Sequence, residues 1–233
     1  MEPVREVRGR AVPLDRSDVD TDQIIPSDWL KRVERTGFDQ GLFAEWRDDP
    51  SFVLNQQAYA GARVLVAGPN FGTGSSREHA VWALQQYGFA AVVSPRFGDI
   101  FANNAAKNGL VAVVVSPEAG ARLLSGVAAD PSVEVRIDVA KRLLEVPALG
   151  VAERFPLSDA VRHRFLEGLD DVGLTLQHEP DITAFEAARP AWLPTTRLSQ
   201  GSDAGQTPSR ARPASDPSKV LDGGAGALQE RPR

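Results

Sequence analysis

The feature that most constrains this chain is a rhythm in its middle third. Three short apolar runs, ARVLVA at 62–67, AAVVS at 90–94 and VAVVV at 111–115, are separated by stretches with helical spacing. Ala80, Ala83, Leu84 and Tyr87 fall at i, i+3, i+4 and i+7, one face of a helix predicted over 76–87. Residues 99–108 read as a second helix with Gly109 as its stop, and Pro117-Glu118 opens a third. Strand, helix, strand, helix, strand at this spacing implies βαβ units and a mostly parallel sheet. Further on, VEVRID at 133–138 and RLLEV at 142–146 read as an antiparallel pair, and 158–168 as a closing helix. There is no internal repeat.

The first strand-to-helix junction carries the chemistry. NFGTGSSREHAVWAL, residues 70–84, runs from two glycines through Ser-Ser-Arg into the helical pattern. A junction of this kind offers free backbone N–H groups and a positive helix end to an anion. Glycines at Gly72 and Gly74 let backbone approach a ligand without a Cβ in the way. The dinucleotide pattern G-x-G-x-x-G fails, because Arg77 stands at its third glycine, and no Gly-Lys-Ser/Thr follows for a P-loop. A G-x-S-x-G nucleophile elbow also lacks its second glycine. What is left suits a carboxylate: Arg77 can grip one with two parallel hydrogen bonds, and Ser75 and Ser76 can add theirs. The same positive environment favours a serine alkoxide acting as a base toward carbon. The plainer alternative is a tight turn in which Ser75 or Ser76 caps the helix.

Composition narrows the partners. The chain has 233 residues, 42% of them hydrophobic, enough for one soluble domain with an appendage. Net charge is −5, with basic residues scattered among acidic ones, which argues against nucleic acid. There is no cysteine, so this chain alone builds no disulfide, thiolate nucleophile or iron–sulfur site. His79, His163 and His178 lie far apart without metal-ligand spacing, so no metal is expected on this chain. No apolar run approaches the roughly 18–20 residues that cross a bilayer, and the first residues lack the apolar core of a signal peptide. A cytoplasmic protein is expected. From residue 194 on, the sequence turns rich in Gly, Pro and Ser with few bulky aliphatics, and a disordered tail over 194–233 is expected behind an ordered domain over 1–193.

Several motifs in order resemble one family. GSSREHAVWAL, preceded by NFG and followed by YGFAAVVSPRFGDIFANNAAKNGL, resembles the swivelling domain of the aconitase superfamily. DRSDVDTDQIIPSDWLKRVERTGF, GLFAEWR, FVLNQQAYAGARVLVAGPNFG and GLDDVGLTLQHEPDITAFEAARPAW resemble, more closely, the small subunits of 3-isopropylmalate dehydratase. The likeness spans about residues 6–193. It implies an α/β fold of the β/β/α swivelling type, with a mostly parallel central sheet. It also implies a large-subunit partner whose cysteines hold a [4Fe–4S] cluster, and a dicarboxylate substrate isomerised by loss and return of water.

By position in GSSREH, the resemblance makes Ser75 the base that takes a proton from carbon. Ser76 and Arg77, with Gly74 beside them, match the residues that hold a substrate carboxylate. A second carboxylate-binding arginine falls at Arg35, with Arg32 as its rival. Asp20, Thr21 and Asp22 are expected to border the site, with Asp22 orienting catalytic groups; a turn-forming role is the alternative. Trp29 and Leu30 lie where relatives carry a loop that distinguishes substrates, and they suit an isopropyl group, although Lys31 and Arg32 follow at once. His79 is expected to pack or hydrogen-bond near the loop. Thr73 stands where relatives often have cysteine. The rival functions are a related hydro-lyase acting on homoaconitate, citraconate or dimethylmalate, a non-catalytic module keeping the fold, and a nucleotide-binding protein.

Overall fold

The fold follows from how one long strand is shared between two kinds of pairing. A computed structural model describes residues 1–190, 192 and 193. Strand β1 (Glu6–Leu14) alternates exposed and buried over its first residues and is continuously buried over its last four. The change marks a change of neighbour. Its first half pairs antiparallel with β5 (Glu134–Asp138), from Glu6 opposite Asp138 to Arg10 opposite Glu134. Its second half pairs parallel with β2 (Val64–Ala67), from Ala11 opposite Val64 to Leu14 opposite Ala67. Pro13 lies beyond the last β5 pair, so its missing N–H removes no bond from that ladder.

Beyond β2 the sheet continues in parallel through β3 (Ala91–Ser94) and β4 (Val111–Val114); beyond β5 it continues antiparallel through β6 (Leu143–Val146) and β7 (Val151–Arg154). The strand order is β4-β3-β2-β1-β5-β6-β7. Short helices α1 (Thr21–Ile24) and α2 (Ala44–Arg47), with single 3-10 turns between and after them, fill the long link from β1 to β2. Helix α3 (Glu78–Tyr87) joins β2 to β3, and α4 (Asp99–Asn108) joins β3 to β4; both stop at a glycine with positive φ, Gly88 and Gly109. Helix α5 (Pro117–Ala129) packs across β1 and β2, and α6 (Asp159–Glu167), α7 (Asp171–Leu176) and α8 (Glu179–Ala188) follow β7.

The core is one cluster, centred on Val12, Leu14, Leu65, Val66, Val92 and Val93 and closed by Phe38, Phe43, Phe71, Phe101 and Phe165. Met1–Phe185 form one compact unit. The expected tail over 194–233 lies outside the described residues. The expected strands at 62–67, 90–94 and 111–115 are present, trimmed by one or two residues, and the 133–146 pair is antiparallel as predicted. Two strands were not foreseen, β1 and β7: charged residues, Gly9 and Pro13 mask the first, and Val151 is the only buried residue of the second.

Candidate active site

The loops leaving β1, β2 and β3 meet at the same end of the parallel strands. The loop after β2 is held from both sides. From the β1 side, Gly72 N donates to Val19 O (2.7 Å), Thr21 N donates to Thr73 O (2.9 Å), and the Asn70 amide donates to Asp18 Oδ1 (2.6 Å). From the β3 side, Phe71 N donates to Arg96 O (3.0 Å) and Gly98 N to Phe71 O (2.9 Å). Ser94, fully buried at the end of β3, places its hydroxyl 2.8 Å from both Gly68 O and Arg96 O, stitching the two loops together.

Positive φ at Asn70 (62°), Gly72 (73°) and Gly74 (89°) turns the chain sharply between these anchors. At Gly72 a Cβ would collide with the Phe101 ring, so that glycine is required by space as well as by φ. The loop then rises to an exposed crest, Gly74-Ser75-Ser76.

Helix α3 starts two residues later than the hydrophobic spacing predicts. Its N-cap is Arg77, in extended conformation and without a side-chain cap bond. Neither Ser75 nor Ser76 caps the helix, because both precede the position from which a hydroxyl reaches the first-turn N–H groups. Among the described residues the two serine hydroxyls have no hydrogen-bond partner, and the uncapped helix start lies beside them. Glu78, the acid of the first turn, is engaged elsewhere, accepting from Asn108 Nδ2 (2.8 Å).

The Asp-Thr-Asp block lies against this crest, and each residue has a separate contact. Asp20 caps α1 in a capping box: Gln23 N donates to Asp20 Oδ1 (2.8 Å) and Asp20 N to Gln23 Oε1 (3.0 Å). The Thr21 hydroxyl donates to Ser75 O (2.9 Å) and so fixes the backbone that carries the serine. Asp22 forms an ion pair with Arg77 Nη1 (2.5 Å), which also donates to Ile25 O (3.2 Å). Arg77 is only 13% exposed, so this pair fixes the guanidinium rather than decorating the surface. Residue spacing pointed neither to the Ile25 carbonyl nor to Ser94.

The two candidate arginines of the 32–35 stretch separate clearly. Arg32 donates to Gly37 O (3.1 Å) and lies over the Trp29 ring at 4.5 Å, engaged within its own loop. Arg35 lies over Trp82 of α3 at 5.5 Å, and its carbonyl accepts from Gln86 Nε2 (2.8 Å). The structure therefore ties Arg35 to α3, the helix that follows the serine crest. Trp29 and Leu30 are half-buried on a 3-10 turn, Ser27–Lys31, with the Trp29 ring pressed on Gly41.

His79 packs against Phe38 (5.3 Å) and Trp82 (4.8 Å). Burial pushes its imidazole below the ordinary value; Glu78 opposes the shift and Arg77 reinforces it. A base depressed in this way stabilises the fold fully above the ordinary histidine range, and that contribution is lost as pH falls through the lowered value.

The matches to known proteins bear on this constellation. The family model for the aconitase C-terminal domain matches residues 1–118, and that for the C-terminal domain of the 3-isopropylmalate dehydratase small subunit matches 171–197. The 3-isopropylmalate dehydratase small subunit of Parafrankia sp. (strain EAN1pec) is 65% identical over 188 residues, covering 81% of this chain and 95% of the relative. That of Acidothermus cellulolyticus is 61% identical over 199 residues, 85% of this chain and 100% of the relative. The chain belongs to the family of 3-isopropylmalate dehydratase small subunits. A crystal structure of 3-isopropylmalate dehydratase (leuD) from Methanocaldococcus jannaschii superposes with a TM-score of 0.57 at 26% identity, covering 78% of this chain and 99% of that one. The α/β fold expected from the aconitase likeness is therefore present.

Family membership raises the question of an iron–sulfur cluster. Among the described residues no group of three or more His, Cys, Asp or Glu side chains is placed to hold a metal, and the chain contains no cysteine. The residues present do not fit a cluster.

Proposed function

We propose that this chain is the small subunit of a 3-isopropylmalate dehydratase, interconverting 2- and 3-isopropylmalate through isopropylmaleate in cytoplasmic leucine biosynthesis. The observation that carries the reading is the exposed Ser75 hydroxyl, without a partner among the described residues, just ahead of the open start of α3, one residue from Ser76 and two from the fixed Arg77.

Dehydration breaks a C–H bond on one carbon and a C–O bond on its neighbour. Ser75 Oγ accepts the proton from carbon and returns it on rehydration. The helix end and the Arg77 charge favour the alkoxide that this requires. Arg77 keeps Nε and Nη2 for a substrate carboxylate while Asp22 and Ile25 hold Nη1. Ser76 and the Gly74 backbone supply further hydrogen bonds, Arg35 binds the second carboxylate, and Trp29 and Leu30 border the apolar arm of the substrate. Asp20 and Thr21 hold the crest in place. The group that takes the leaving hydroxyl is assigned to the large subunit, with its [4Fe–4S] cluster.

The test is the reconstituted pair. Ser75→Ala should leave assembly intact and lower turnover of 2-isopropylmalate by about 10²–10⁴-fold, the usual worth of a positioned acid–base group. Unchanged turnover would remove Ser75 from the chemistry. Turnover of homoaconitate, citraconate or dimethylmalate in place of 2-isopropylmalate would defeat the substrate assignment.

A further inference from the structure

Helices α7 and α8 have no fully buried residue, and α8 is exposed along its whole length. None of their described side chains is buried, yet they carry Val172, Leu176, Ile182 and Phe185, which are 65%, 60%, 38% and 70% exposed. Helices of six and ten residues are marginal by propensity alone and depend on packing of an apolar face. The root of the arm is tied to the domain: Asp171 pairs with Arg164 of α6 (2.6 Å) and Lys107 of α4 (3.4 Å). Exposed apolar side chains of this size, gathered on one segment, mark an interaction surface.

Charge selects the occupant. No Lys or Arg occurs between Arg164 and Arg189, whereas Glu167, Asp170, Asp171, Glu179, Asp181 and Glu186 do. A second copy would set acidic arm against acidic arm, and like charges brought together disfavour that pairing. The chain's own segment from Thr195 on offers only Leu198, Val220, Leu221 and Leu228 as bulky aliphatics, too few to fill an apolar surface.

We infer that the α7–α8 arm is a docking element for the large subunit, seating Val172, Leu176, Ile182 and Phe185 in an apolar groove rimmed by Lys and Arg. This rests on the small-subunit reading proposed above. The acidic rim steers and orients the encounter, and the apolar residues supply the holding contacts. No arm residue is among those assigned to the reacting groups, so its substitutions should act on assembly.

The experiment measures the dissociation constant between the full-length chain and its large subunit by sedimentation, at two salt concentrations. Leu176→Asp/Phe185→Asp should melt like the wild type, because neither side chain is buried, and should raise the dissociation constant at least tenfold. Glu179→Lys/Asp181→Lys should weaken the pair less and flatten its salt dependence. Should the first variant melt early, Phe185→Ser carries the same expectation at smaller size. Wild-type affinity in all three variants overturns the inference. So does self-association of the wild type that the first variant abolishes while the pair is unaffected. If the wild-type chains do not pair at all, the small-subunit reading falls together with the inference; if they pair and the variants change nothing, only the inference falls.

Discussion

The parallel half of the sheet and its antiparallel wing are built to different tolerances. In β2 and β3 every residue is buried, the mark of strands covered on both faces. In β6, and in β5 as far as Ile137, buried and less buried residues alternate, the mark of a sheet with one face in water. The loops at the end of the parallel strands carry the serine crest and are joined to one another by backbone bonds. The wing carries cross-strand ion pairs on its open face: Arg8 with Glu134, and Arg136 with Glu6 and Glu145. One half spends its sequence on space and backbone geometry, the other on alternation.

The sharpest way to break this comparison is to add one methyl group to the parallel half. Gly72→Ala imposes a side chain at φ 73° and drives a Cβ into the buried Phe101 ring. The backbone and overpacking penalties together should cost about 2–4 kcal/mol. Denaturant unfolding of the isolated chain reads this directly, and a loss within experimental error would show that the loop can yield.

A smaller effect is expected where the same half meets solvent. Asp22→Ala removes the carboxylate that holds Arg77 Nη1, leaving the Ile25 carbonyl as its one remaining anchor. A guanidinium less well oriented should raise KM for 2-isopropylmalate roughly three- to tenfold, with kcat changed less. An unchanged KM would mean that Asp22 serves only the surface.

The difference between the halves also explains what could be read before the structure. Continuous apolar runs made β2, β3 and β4 visible, and glycine stops placed the ends of α3 and α4. Strand β1 was hidden because it serves both halves: its first part alternates charges for the wing and its second part runs apolar for the parallel sheet, so neither period holds across Glu6–Leu14. At the site, the Ser-Ser-Arg motif named the crest, but hydrophobic spacing began α3 at Ser76, where the structure uses Arg77 as N-cap. The Ile25 carbonyl that shares Arg77, and the Ser94 hydroxyl between two loops, are contacts made by tertiary packing alone, and local pattern carries no trace of them. Arg35 and Arg32 were separated only by their surroundings, Trp82 of α3 for one and Trp29 of its own turn for the other.

The smallest effect is expected on the open face of the wing. Arg136 holds Glu6 through Nε (2.9 Å) and Nη2 (2.7 Å), with Glu145 farther off at 3.5 Å; these acids, Glu6 first, raise its pKa. Such geometry looks strong, but water and salt screen it, and exposed pairs of this kind are worth little. The register weakens it further, because Arg136 stands directly opposite Arg8 in the β1–β5 ladder, and removing it relieves that like-charge pair. Arg136→Ala should therefore shift Tm by less than about 3 °C at low salt and by less still at high salt, with kcat and KM unchanged in the reconstituted pair. A loss as large as that of Gly72→Ala would show that the wing's charges, and not only its buried face, hold β5 to β1. The two halves would then share one tolerance, and the division drawn from their burial patterns would fail.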